Sequence, residues 1–325
     1  MIKPFIKYPG GKIKEFPIVE RNKPEMIERY FEPFVGGASI YLNMNIRKSF
    51  INDKSKDLVD LYRYVKEQNN SFFEYLSEID YLWKEIEKET SYCFKNIIDE
   101  RFFYEYYNKS LILKRKKISD FEGQGYPISR EDKEEAVLTA KKTALYMIIR
   151  DLYNSKDTKD YIHTACFYFL REYSYSSMFR FGKNGNFNVP YGGRSYNMKY
   201  MSAKIEQMRA KETISRFEET EIYDDDFEIF LNRFDLNEGD FIFLDPPYDS
   251  DFSTYDNNLF DKNEQMRLAM LLKKIKAKWL MIIKKTQFIY DLYKDFNVRE
   301  YDKNYLVSFK NRNEKEAKHL LITNY

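Results

Sequence analysis

The chain has 325 residues, 43% of them hydrophobic and 33% charged, enough apolar material for one large domain or two modest ones. No window approaches the ~18–20 consecutive apolar residues of a membrane span, and MIKPFIKYPGGK lacks the apolar run of a signal peptide. Two histidines and two distant cysteines, Cys93 and Cys166, disfavour a zinc site, a histidine mechanism or a disulfide framework, and fit a reducing cytoplasm with no metal required.

In chain order, a loop (Lys7–Lys12) and a short helix precede a strand at Tyr30–Phe34. A turn holding Gly37 then opens a helix near Ala38–Asn43, and a second strand, Ser49–Asn52, is closed by Asp53. Leu58, Leu61, Tyr62 and Val65 have helical spacing within Asp57–Gln68. Strand, helix, strand and helix in this succession begin a parallel α/β sheet. Residues 69–170 are rich in Glu, Lys, Tyr and Phe at helical spacing, with a loop at 121–135, and residues 178–200 are irregular and glycine-rich. The α/β pattern returns with strands at Glu221–Tyr223, Asp240–Leu244, Trp279–Ile283 and Leu320–Thr323, and a helix at Asn263–Ile275. The expected architecture is a discontinuous α/β domain (1–68 and 215–325) interrupted by a helical, loop-rich one (69–214).

Net charge is only +2, but its distribution is uneven. Residues 171–210 carry seven Lys/Arg against Glu172 and Glu206, whereas residues 217–251 carry thirteen Asp/Glu against Arg233. One surface for a polyanion and a separate site for a cation would explain this; so would two solvated faces.

Three segments carry chemistry. Phe31-Glu32-Pro33-Phe34-Val35-Gly36-Gly37-Ala38 leaves a strand, and its glycines let backbone approach a ligand. Asp53, at the end of the next strand, stands where acidic residues accept ribose hydroxyls. Without a full GxGxxG, a ribose ligand lacking a pyrophosphate fits better than a dinucleotide; an ordinary strand–turn–helix fits equally. Asp245-Pro246-Pro247-Tyr248 follows the apolar strand DFIFL. Its two prolines fix torsions and remove two N–H donors, so carbonyls can face a substrate as acceptors. Asp245 adds an acceptor and Tyr248 a flat ring, a set suited to an exocyclic amine on a planar base; the alternative is a strand cap and a rigid turn. Finally, residues 179–192 interleave Arg180, Lys183, Asn184, Asn186, Asn188, Tyr191 and, just beyond, Arg194 with aromatics and glycines. Such residues contact phosphates and base edges, or merely order a surface loop.

Taken in order, these segments resemble the Dam-type, D12-class family of DNA adenine-N6 methyltransferases. The resemblance rests on Lys7–Lys12 (KYPGGK), Phe31–Leu42 (FEPFVGGASIYL), Asn52-Asp53 with Asp57-Leu58 and Leu61-Tyr62, Phe187–Gly192 (FNVPYG), Asp226-Phe227, Asp245–Tyr248 and Leu321–Tyr325 (LITNY). It implies a Rossmann-like AdoMet-dependent methyltransferase sheet with an inserted, mainly helical target-recognition domain. It implies S-adenosyl-L-methionine as methyl donor and double-stranded DNA as partner, with a cognate restriction endonuclease as an optional second partner. Tyr8 and Lys12 then close over AdoMet, and Glu32, Phe34, Gly36 and Gly37 line its methionine end. Asp53 holds the ribose, Asp226 and Phe227 take the adenine, and Asp245 stands between donor and target base. The place where GATC-reading members carry an arginine holds Asn184, which removes the usual guanine contact. Lys284-Lys285-Thr286 replaces a small polar pair. Methylation of cytosine N4 or an RNA adenine, and a catalytically silent DNA-binding relative, are the competing readings.

Overall fold

The computed structural model describes residues 1–88, 98–247, 260–304 and 316–325. In chain order the first elements are α1 (Phe16–Asn22), β1 (Arg29–Glu32), β2 (Ser49–Asn52) and α2 (Lys56–Glu67). Helices α3 (Asn70–Glu85), α4 (Glu100–Gly123), α5 (Arg130–Asn154), α6 (Asp160–Tyr173), α7 (Ser202–Met208) and α8 (Lys211–Phe217) follow. Then come β3 (Thr220–Tyr223), α9 (Phe227–Asn232), β4 (Asp240–Leu244), α10 (Lys262–Leu272), β5 (Lys278–Lys284), α11 (Gln287–Tyr293), β6 (Asn297–Asn304) and β7 (Glu316–Thr323). The chain divides into two compact units, one of residues 1–4, 9–63 and 215–325, the other of residues 5–8 and 64–214.

The first unit is built on a seven-stranded sheet of order β3-β2-β1-β4-β5-β7-β6. The first five in that order are parallel, and β7 is antiparallel to both β5 and β6. Strand β4 is buried at all five positions, the continuous apolar run that a sheet covered on both faces demands. Alternation sorts its residues: Ile242 and Leu244 join Phe31, Phe50, Trp279, Met281 and Ile283 in one core with Leu268, Leu272 and Tyr293 from the helices. Arg29 fixes the register of the two central strands. Its Nε and Nη2 donate to the two carboxylate oxygens of Asp240, each at 2.6 Å, and these residues are paired across β1 and β4.

Two local expectations change. The helix at Ala38–Asn43 is only a 3-10 turn, Tyr41–Asn43. Gly36 (φ 45°) and Ala38 (φ 58°) take left-handed torsions that a regular helix cannot continue from. Strand β6, at Asn297–Asn304, has no counterpart in the sequence reading. Its sequence NVREYDKN is charged because, among the described residues, it is an edge strand paired only to β7.

The second unit is helical. Asn69, Asp99 and Ser129 each cap a helix by accepting a backbone N–H at its first turn, which starts α3, α4 and α5 where the sequence offers those side chains. Trp83, Phe169 and Tyr173 form the aromatic centre where α3 meets α6, with ring centroids 4.5–5.3 Å apart. Among the described residues no helix is long and apolar enough to cross a membrane.

Candidate active site and target hairpin

Strands β1, β2 and β4 are parallel, so their carboxyl ends lie on one edge of the sheet. The chain passes from β1 to β2 on one side, while β4 lies on the other. That reversal is where open α/β sheets bind ligands. Glu32, Asp53 and Asp245 all stand at these strand ends.

The loop after β1 is tied down by its neighbour. Val35 N–H donates to the Asn52 carbonyl at 2.9 Å. The Asn52 side chain donates to the Pro33 and Asp225 carbonyls, each at 3.0 Å, and accepts from Asp225 N–H at 2.9 Å. Asn52 thus staples the loops after β1 and β3. Asp53 accepts Gly36 N–H at 2.9 Å on one oxygen and Ser55 N–H at 3.0 Å on the other, while the Tyr62 hydroxyl donates to the Gly36 carbonyl.

Glu32 is only 2% exposed and accepts the Tyr30 hydroxyl at 2.5 Å. Burial pushes its carboxyl up to about 8; the Tyr30 hydrogen bond opposes that, and the negative charge of Asp245 adds to it. Asp245 itself takes Lys12 Nζ on both oxygens, at 2.5 and 2.6 Å, and Lys12 also donates to the Gly10 carbonyl at 3.1 Å. Lys12 is 2% exposed and Asp245 19%. Of the two proline carbonyls, that of Pro247 accepts the Gln265 side chain at 2.9 Å. Asp245 and the Pro246 carbonyl are therefore the acceptors to weigh for a substrate amine. Tyr248 lies outside the described residues, as does Cys93.

Beside α9, Phe34, Phe227 and Phe260 form a triangle of rings with centroids 5.5–5.7 Å apart. Asp226 caps α9 by accepting Glu228 N–H at 3.0 Å, and Arg267 binds its other oxygen at 2.6 Å while covering the Phe227 ring at 4.4 Å. Sequence reasoning missed Phe260, Gln265 and Arg267. Gln265 and Arg267 lie on α10, whose amphipathic pattern marks a buried face but not which loop it meets.

Tyr8 belongs to the helical unit, where the Arg171 guanidinium covers its ring at 4.8 Å. The same unit holds the segment 179–192, which is a hairpin. Phe181 bridges Phe187, Gly182 N–H donates to the Asn186 carbonyl at 2.8 Å, and Gly185 (φ 78°) turns the tip. Alternation exposes Arg180 and Asn188 and buries Phe179, Phe187, Val189 and Tyr191. Lys183, Asn184, Asn186 and Arg194 are also exposed. Arg180 donates to the Asn188 side chain at 3.3 Å, Asn184 accepts Asn186 N–H at 3.2 Å, and Arg194 pairs with Asp132 at 2.9 Å. Tyr191 is buried against Trp83 and Tyr146, its hydroxyl donating to Asn197 at 2.8 Å, so it supports the hairpin from beneath. Asn154, also missed, clamps the hairpin by accepting Phe187 N–H at 2.8 Å and donating to its carbonyl at 3.0 Å.

The family model for the D12 class N6 adenine-specific DNA methyltransferase matches residues 8–307. The chain belongs to this family. Several named methyltransferases are similar to most or all of the chain. The Type II methyltransferase M.CviBI of Paramecium bursaria Chlorella virus NC1A is 27% identical over 331 residues, covering 100% of both chains. The Type II methyltransferase M1.LlaDCHI of Lactococcus lactis subsp. cremoris is 26% identical, covering 100% of this chain and 96% of that one. The DNA N-6-adenine-methyltransferase of Escherichia phage P1 is 25% identical over 271 residues, 82% of this chain and 27% of the other. A D12-class enzyme implies an AdoMet methyl donor and a DNA substrate.

Proposed function

We propose that this D12-class enzyme transfers a methyl group from S-adenosyl-L-methionine to N6 of an adenine flipped out of duplex DNA, with Asp245 and the Pro246 carbonyl as the acceptors that activate the amine. The observation carrying this is the Asp245 carboxylate at the end of β4, held by Lys12 at 2.5 and 2.6 Å beside the switch point.

The strand ends fit the donor. The carboxylates at 53 and 245 suit a cationic ligand that carries a ribose, and the ring triangle beside Asp226 suits a planar base. Glu32, Phe34, Gly36 and Gly37 would hold its amino-acid end, Asp53 the ribose, and Asp226 with Phe227 the adenine. Tyr8 and Lys12 would complete the enclosure. When bound, AdoMet supplies an electrophilic methyl group on a sulfonium.

The chain's own groups do the rest. Adenine N6 is a weak nucleophile because its lone pair is delocalised into the ring. Asp245 and the Pro246 carbonyl accept its two N–H bonds, drawing the nitrogen toward tetrahedral geometry and localising that pair. Lys12 holds the Asp245 carboxylate in place through both of its oxygens. Positioning then supplies much of the acceleration. Flipping costs a few kcal/mol of unstacking, which hairpin contacts from Arg180, Lys183, Asn184, Asn186, Asn188 and Arg194 would offset, with Tyr191 supporting them. Tyr248 would stack on the flipped ring. In this reading residues 1–68 and 215–325 form the catalytic domain and 69–214 the target-recognition domain. The type II names of two relatives support a place beside a cognate restriction endonuclease.

The test is incubation with tritiated AdoMet and unmethylated genomic DNA, followed by digestion to nucleosides. Label in N6-methyl-2′-deoxyadenosine supports the proposal. Label in N4-methyl-2′-deoxycytidine, or AdoMet binding without transfer, refutes it.

A further inference from the structure

Three side chains near the carboxyl end of α6 hold the backbone of residues 5–8. The Tyr168 hydroxyl donates to the Phe5 carbonyl at 2.7 Å. Arg171 donates to the Lys7 carbonyl through Nε and Nη2, at 3.3 and 3.1 Å, and Glu172 accepts Lys7 N–H at 3.1 Å. Glu172 is fully buried and neutralised by Lys199 and Lys204. Arg171 is 1% exposed, and its guanidinium is shared by two rings, Tyr8 at 4.8 Å and Phe179 at 4.9 Å. Tyr8 comes from the KYPGGK segment and Phe179 from the hairpin.

A buried guanidinium carries a desolvation cost that an apolar filler would not. What it offers in return is geometry: a flat cation with two faces, each able to take a ring, and an edge that binds a carbonyl. Here both faces meet aromatic residues of different motifs while the edge fixes the peptide preceding Tyr8. If Phe179 shifts, the stack that sets the Tyr8 ring shifts with it. The boundary between the compact units falls between Tyr8 and Pro9, so the KYPGGK segment starts in the hairpin's own unit.

We propose that Arg171 is a positioning residue that couples the target hairpin to the AdoMet-facing Tyr8 through the Phe179–Arg171–Tyr8 stack. This rests on the reading that Tyr8 meets AdoMet and the hairpin meets DNA. The coupling makes cofactor affinity depend on a hairpin ring even before DNA is present.

The experiment measures AdoMet Kd by calorimetry on the full-length protein without DNA, and KM for unmethylated genomic DNA, with melting temperature as a folding check. Phe179→Leu removes one wall of the stack and raises AdoMet Kd about 10-fold, the loss of one desolvated cation–π contact. Phe179→Tyr keeps the ring and stays within about twofold of wild type. Arg171→Lys keeps charge but loses the flat stack, and also raises Kd about 10-fold. The double variant is no weaker than either single one, because both break the same chain of contacts. Phe181→Leu trims a hairpin ring packed on Phe179 and Phe187 and leaves AdoMet Kd within about twofold. Two outcomes overturn the proposal: Phe179→Leu and Arg171→Lys changing only the DNA KM, or Phe181→Leu weakening AdoMet as much as Phe179→Leu. A wild-type protein that binds no AdoMet is a separate failure, of the underlying reading, and removes the coupling with it.

Discussion

The Lys12 ammonium sits astride the Asp245 carboxylate, 2.5 Å from one oxygen and 2.6 Å from the other, although the residues are 233 positions apart. Asp245 is the counter-ion of a buried lysine and, in the function proposed above, also the amine acceptor, and substitutions separate the two roles. Asp245→Ala lowers turnover at least ~10²-fold, as expected for removing one preorganised electrostatic group. It also lowers stability, by at most about 3 kcal/mol because Asp245 stays partly solvated. Adding Lys12→Met to Asp245→Asn removes the unpaired charge. The double variant recovers melting temperature but not methyl transfer; recovery of transfer would show that the carboxylate is not an acceptor for the amine.

Glu32 gives the protein a pH signature. Its folded-state value of about 8 lies above the ordinary 4.5, so between those values the native protein keeps a proton that the unfolded chain has released. Its contribution to stability is full at low pH and declines as pH rises across that window. Glu32→Gln cannot titrate, so its melting temperature relative to wild type climbs from pH 5 to pH 8. Parallel wild-type and Glu32→Gln curves would show that the buried carboxyl does not hold its proton.

Asp53 anchors the loop after β1 and, in the function proposed above, also binds the ribose. Its two oxygens take Gly36 N–H and Ser55 N–H. Asp53→Ala strands both donors and removes the proposed ribose acceptor, and AdoMet Kd rises about 10–100-fold, the range for losing a hydrogen bond to a charged group. Asp53→Asn, with one acceptor oxygen left, falls between. DNA affinity measured without AdoMet stays near wild type in both; a large loss there would place Asp53 in the DNA site instead.

The hairpin cations differ in how engaged they are. Lys183 is exposed near the tip, whereas Arg194 already pairs with Asp132 at 2.9 Å. Lys183→Ala lowers the slope of log affinity against log salt by about 1, the signature of one lost phosphate contact. Arg194→Ala lowers it less, since its charge is partly spent within the protein. Slopes unchanged in both variants would take the phosphate backbone away from this hairpin.

The positions of the candidate site residues could be read from the chain because they sit at strand ends, where a short apolar run announces the next residue. DFIFL before Asp245 and SFIN before Asp53 are such cases, and both strands form at those residues. What could not be read was contact between distant elements. Arg267 on Asp226, Gln265 on Pro247 and Asn154 on Phe187 each join residues 18 to 41 positions apart through one polar side chain. Nothing in a local window marks that polar residue among its solvated neighbours. The Ala38–Asn43 helix failed for a related reason, because the left-handed torsion at Ala38 is imposed by the anchored loop around it. Strand β6 was hidden by its charges, which suit an edge and obscure a strand.

The sheet order also dictates when an enzyme exists during synthesis. Strand β1 is completed by β4, 211 residues later at the Arg29–Asp240 pair, and β7, ending at Thr323, must enter between β5 and β6. Such distant pairings form slowly, and the last of them needs residues up to Thr323 to have left the ribosome. The helical unit, whose contacts lie within residues 5–214, can fold while translation continues. A growing chain can thus complete its helical unit first and its sheet only with β7, so a product terminated before β7 holds the helical unit without the finished sheet.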